Sequence, residues 1–145
     1  MSSAGRFLAL LFVACPIGCG SDAALHPVTG TVMVDGKPAV GAQVMFLADG
    51  PTDMTATPAT ATVAADGSFT MATGVAGGVK PGRYAVTVVW PDPSMKLTDA
   101  QRMMGASPSD APDVLKGRYA KRELSKLSAE IKTGNNALEP FHLKK

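Results

Sequence analysis

Neither cysteine of the chain lies beyond position 19, and histidine occurs only at His26 and His142. The first scarcity excludes a disulfide-stapled scaffold for everything after the leader, so packing must hold that part together. The second argues against a metal centre, because zinc needs three or four converging His, Cys or carboxylate ligands; both histidines read as surface or edge residues. Charge is scarce as well, with 14 Lys and Arg against 12 Asp and Glu. From Lys116 onward there are eight Lys and Arg against three Glu. They are spread along the chain without interleaved aromatics, which speaks for a solvated face and against a nucleic-acid partner. Long apolar runs are missing too. The longest, Phe7 to Ile17, is too short to span a bilayer as a helix.

That run follows Arg6 and leads through small residues into Gly18-Cys19-Gly20-Ser21, the pattern of a secretory signal peptide. Pro16-Ile17-Gly18-Cys19 resembles a bacterial lipobox, whose cysteine becomes lipidated and N-terminal on cleavage. Pro16 stands where leucine is usual. Phe12-Val13-Ala14-Cys15 is a second candidate, but it leaves a shorter run and puts Pro16 directly after the modified residue, so Cys19 is favoured. The chain divides into residues 1–18, signal peptide with lipobox; 19–26, lipidated cysteine and tether; and 27–145, one folded domain. The expected location is the cell envelope, with the membrane as partner through the N-terminal lipid.

From Pro27 the chain alternates in the manner of half-buried strands. Val28, Val32 and Val34 fall on one face, and Thr29, Thr31 and Met33 on the other. Asp35-Gly36 supplies the positive backbone angles of a tight reversal. Further strands are expected over Ala42 to Ala48, Thr60 to Val63, Phe69 to Met71, Tyr84 to Trp90, Leu127 to Ile131, and through Leu138, Phe141 and Leu143. Asp66-Gly67 reads as the turn of a second hairpin. In Tyr84 to Trp90 both faces are apolar or small, as in a strand buried on both sides. Pro140, inside the last run, requires an edge position or a bulge. Between Pro91 and Gly117 the strand signal stops; Thr98 and Gln101 have capping-box order, predicting one short helix near Asp99 to Met104. Seven short strands at this spacing predict an all-β, seven-stranded antiparallel β-sandwich of Ig-like architecture.

Val28-Thr29-Gly30-Thr31-Val32, Val34-Asp35-Gly36-Lys37-Pro38, Gly41-Ala42-Gln43-Val44-Met45-Phe46, Ala65-Asp66-Gly67-Ser68-Phe69 and Pro81-Gly82-Arg83-Tyr84-Ala85-Val86-Thr87-Val88 resemble successive blocks of the carboxypeptidase regulatory-like domain. Leu115-Lys116-Gly117-Arg118-Tyr119 and the stretch from Leu127 to Leu143 are similar to the C-terminal half of short planctomycete-type lipoproteins built of that domain alone. The resemblance covers roughly Pro27 to Leu143 and implies a transthyretin-like (prealbumin-like) sandwich with an accessory or surface role. Its motifs are mostly turn chemistry, which specifies fold better than activity.

No catalytic constellation accompanies it in the sequence. There is no G-x-S-x-G elbow, and the histidine site and C-terminal Tyr-Arg-Gly-Ser of hydroxyisourate hydrolase, an enzyme of the same architecture, have no match. Gly77-Gly78-Val79-Lys80 has the look of a phosphate-cradling loop, but Pro81 follows the lysine and a strand follows the loop. Asp92, Asp99, Asp110 and Asp113 carry oxygen ligands without calcium-loop spacing, and turn and cap duty accounts for them. Trp90 and Tyr119 are the aromatics one would nominate for stacking on sugar rings, although their positions favour core packing. The sequence thus points to a non-catalytic envelope lipoprotein without cofactor or metal, displaying a small sandwich for adhesion, scaffolding or ligand binding. Its partners are envelope proteins or polysaccharide; the alternative is a carbohydrate-binding module for polysaccharide capture.

Overall fold

The computed structural model describes residues 24–50 and 57–145. The expected signal peptide, with Cys15 and Cys19, lies outside the described residues. The chain is mostly β, in two sheets.

The first sheet is organised around β1, Val28–Val34. Asp35 and Gly36 take φ of 48° and 78°, the doubly positive turn expected of an Asp-Gly hairpin. They return the chain into β2, Lys37–Pro38, with Val34 opposite Lys37. The hairpin ends there. Instead of continuing beside β1, the chain crosses at Ala39 to Ala42 into β3, Gln43–Ala48, in the second sheet. β4, Ala59–Thr62, pairs antiparallel with β3.

The Asp66 turn does not close the expected second hairpin. It carries the chain back to the first sheet, where β5, Ser68–Thr70, pairs with β1 and not with β4. The glycine-rich stretch from Gly74 to Gly82 contains half of a small hairpin between β6, Ala72–Thr73, and β7, Ala76–Gly77. β8, Gly82–Val89, runs between β3 and β9, Leu127–Ile131. Its inward Val86 and Val88 are fully buried and its outward Thr87 is only 5% exposed, so the strand is covered on both sides as its composition predicts.

The last elements, β10, Asn136–Ala137, and β11, Phe141–Leu143, lie parallel to β1. The first sheet is therefore mixed, which corrects the antiparallel expectation, and the described residues form eleven strand segments where seven strands were expected. The physical reason is that a turn reverses the chain without fixing which sheet it enters next. After β9 the chain reverses at Thr133 to Asn136 and, in crossing sheets, lands beside β1 pointing the same way. Thr29 faces Ala137 and Val32 faces Phe141, so three steps along β1 match four along its partner. The extra residue is the bulge that Pro140 demands.

Both sheets contribute to one buried cluster: Val28, Val32, Val34, Phe69 and Leu143 from the first, and Val44, Phe46, Val86, Val88 and Ile131 from the second. Gly30 shares the inward face of β1. Its missing side chain leaves the space taken by Phe69, whose ring stacks on Phe141 at 6.2 Å.

Between β8 and β9 the chain makes an excursion closed at its base, where Asp92 N–H donates to Pro112 O at 3.0 Å. Within it lies α1, Asp99–Met103, with the Thr98 and Gln101 capping box formed as expected. Nothing in α1 is buried, and Met103 and Met104 are 89% and 87% exposed. Of the residues between β8 and β9, Leu115 joins the buried core, and Trp90 and Tyr119 near the two ends pack against it. A second short helix, α2, Arg122–Ser125, packs over β8. The sequence did not announce it, since no side chain caps its N-terminus. Arg122 reaches from it to the carbonyl of Ala48.

Candidate functional site

The two nominated aromatics both lie at the end of the fold where β8 finishes. Trp90 follows β8 directly, and its indole Nε1 donates to Val40 O at 3.0 Å. Tyr119 is set alongside the same strand, because Tyr119 O accepts from Val88 N–H at 2.9 Å just beyond where β9 stops pairing. Both rings are half-buried against the core.

Asp113 holds this corner in place. Its Oδ1 accepts the N–H of Trp90 and of Leu115, each at 2.9 Å, and its Oδ2 accepts Gly117 N–H at 2.8 Å. A short isolated bridge pairs it with Pro91, and Val114 N–H returns a bond to Trp90 O at 2.8 Å. One carboxylate thus fastens the start of the excursion to its end. An Asp placed two residues before one amide and four before a glycine amide is a legible turn signal; its hold on Trp90, 23 residues away, is not.

The chain's last two lysines close over the aromatics. Lys144 N–H donates to the Tyr119 hydroxyl at 3.2 Å, and Arg118 Nη1 donates to the carbonyls of Lys144 and Lys145. The Lys145 ammonium sits 5.4 Å from the centroid of the Trp90 ring, within cation–π range. Asp92, nearby, is held below the ordinary carboxylate range. The cause is chiefly the Ser94 hydroxyl and then its N–H, with the Lys145 charge adding to them. No sequence pattern pointed to Lys145.

The other candidates fall into structural roles. The amides that a phosphate would need at Gly77 to Lys80 are committed: Gly78 N–H to Met71 O and Val79 N–H to His26 O, each at 2.9 Å. Gly78 is required there, since its φ is +104° and an added Cβ would meet His26 O at 2.7 Å. His26 Nδ1 accepts from Gly134 N–H at 3.0 Å, before β1 begins, whereas His142 pairs with Met33 near the other end of that strand. Asp99 pairs with Arg102 within α1 and Asp110 closes a capping box onto Ser107. Asp66 takes the Ser68 hydroxyl and N–H, which lower its pKa. Among the described residues, no three His, Cys, Asp or Glu side chains come together as a metal site would need.

The described surface also carries shallow grooves. One, of about 440 Å³, crosses the outer face of β3 and β4 and is lined by Gln43, Met45, Thr60 and Thr62 with Thr70 and Ala72. Another, of about 300 Å³, lies beside β9, between Ser128 to Glu130 and Leu138 to Phe141.

Compared with family models, curated proteins and solved structures, the chain gives no match, so the reading of its sites rests on its own geometry.

Proposed function

We propose that this protein is a non-catalytic lipoprotein of the cell envelope, displaying a β-sandwich of the carboxypeptidase regulatory-like, transthyretin-like kind for adhesion, scaffolding or ligand binding. The observation that carries the reading is the order of parts at the N-terminus. An apolar leader ends in a small residue and Cys19, a short run of small and polar residues follows, and among the described residues the first to pair is His26, bridged to Val79. A tether that short keeps the domain close to the surface that holds the lipid. The two sheets facing one core support the sandwich part of the reading, and the turn chemistry of Asp35-Gly36 supports its likeness to the family.

Display is favoured over sugar capture by the use made of the aromatics. Sugar stacking needs an open ring face, and here Trp90 lies under the Lys145 ammonium while its indole N–H is spent on Val40. Tyr119 is likewise bonded through its hydroxyl. The tether enters before the start of β1 and Trp90 follows the end of β8, where β8 meets the start of β3. With a lipid on Cys19, the corner and the excursion that follows it would stand at the pole away from the anchor.

Mass analysis of the N-terminal peptide from membrane-extracted protein tests the reading. It should begin at Cys19 and carry a thioether-linked diacylglycerol. An unlipidated N-terminus at any other residue would exclude the anchor and leave a plain secreted domain.

A further inference from the structure

We infer that the free edge of β9, with the groove beside it, receives an extended peptide in which apolar and basic residues alternate. Among the described residues β9 ends the second sheet: β8 pairs with one side of it and no strand pairs with the other. Among the described residues, no backbone hydrogen bond from outside the sheet reaches Leu127 to Ile131. A row of unpaired amides and carbonyls is a template for another strand, and natural sheets usually blunt it with proline, a bulge, very short length or charged side chains, of which β9 has Glu130 alone.

The other edges of this fold are blunted in those ways. β7 and β10 have two residues each, β5 has three, and the line of β10 and β11 is broken by the Pro140 bulge. β9 has five residues, no proline and no bulge.

The groove of about 300 Å³ runs along this edge and sets the chemistry of what would dock. Successive side chains of an added strand point to opposite faces. Those on the inner side would descend between the sheets, onto Leu138 and Phe141, which are packed against the core but only partly buried. Those on the outer side would pass beside Glu130, whose side chain is exposed, and Glu139 stands on the rim of the groove. Arg83 faces Glu130 in register across β8 and β9, yet the one salt bridge among the described residues is Arg102 with Asp99. Both carboxylates are therefore available to basic side chains. Main-chain bonds supply the attachment and the alternate pockets the selectivity, as in strand-addition complexes generally.

The test is titration of the purified full chain with an eight-residue peptide of alternating Val and Lys, read by hydrogen exchange and by fluorescence anisotropy. Binding should slow exchange at Leu127 to Ile131. N-methylating the peptide's alternate amides along the edge that faces β9 should abolish binding while leaving every charge in place. Glu130→Lys with Glu139→Lys, both on exposed residues, should weaken the Val/Lys peptide about tenfold and strengthen a Val/Glu peptide. Binding that survives N-methylation of the edge that faces β9, or that ignores the charge reversal, would overturn the inference. So would protection confined to other strands, or a dimer of the protein alone that occupies β9.

Discussion

Asp113→Ala should lower stability by about 3 kcal/mol, seen as a fall in the thermal midpoint of roughly 10 °C for a domain of this size. The carboxylate accepts three backbone N–H groups, from Trp90, Leu115 and Gly117. A bond to a charged acceptor contributes about 1.5–3 kcal/mol where it is sheltered, and the three are not additive. Alanine strands all three donors at once, at a half-buried position beside the fully buried Leu115. Asp113→Asn should lose about half as much. Its remaining oxygen can keep the two bonds that Oδ1 makes, while its amide NH₂ would confront the Gly117 N–H. The alanine variant should also loosen the aromatic corner, raising Trp90 fluorescence quenching by iodide. If Asp113→Ala melts within about 1 °C of the parent protein, the carboxylate is not the fastening of the excursion.

Gly30→Val should be comparably harmful, costing about 2–4 kcal/mol. The expectation runs against local preference, because valine is a better strand former than glycine and the backbone of Gly30 is not in the left-handed region. What decides the sign is the Phe69 ring. A Cβ on residue 30 would lie 2.5 Å from its Cζ and 2.7 Å from Cε1, so the ring must leave its place and its stack with Phe141. Phe69→Ala should cost a similar amount alone, by leaving a cavity. Combined, the two changes should be less harmful than their sum, with a favourable coupling of about 1–2 kcal/mol, because the valine fills part of the space the ring vacates. Strict additivity in chemical denaturation of the four proteins would contradict the account.

These positions mark where sequence reasoning works and where it stops. Features set by neighbours along the chain were legible. The alternation of Val28, Val32 and Val34, the Asp35-Gly36 reversal, the Thr98 capping box and the edge position or bulge required by Pro140 are each dictated within a few residues. The topology was not, because it depends on which sheet the chain enters after each turn. Asp66-Gly67 has the chemistry of a hairpin turn, yet it joins strands of different sheets. The parallel placement of β10 and β11 beside β1 follows from such a crossing, and nothing local distinguishes a crossing from a hairpin. α2 escaped notice because it lacks a side-chain N-cap. At the aromatic corner, Trp90 and Tyr119 were identified as residues, but their fastening by Asp113 and covering by Lys145 are contacts across 23 and 55 positions of the chain. Gly30 was seen as part of a family-like block, while its reason, the ring of Phe69, lies on another strand.

The central claim, that a lipid on Cys19 anchors a self-sufficient β domain, is tested most directly by detergent fractionation of cells producing Cys19→Ser. The thioether-linked lipid is the one membrane-seeking element that the proposed mature chain would carry, and among the described residues no helix is long and apolar enough to cross a bilayer. The account predicts that the parent protein partitions with membranes and that the serine variant moves to the soluble fraction with its thermal transition unchanged. A serine variant that stays with the membranes, while Cys15→Ser releases the protein, would contradict it.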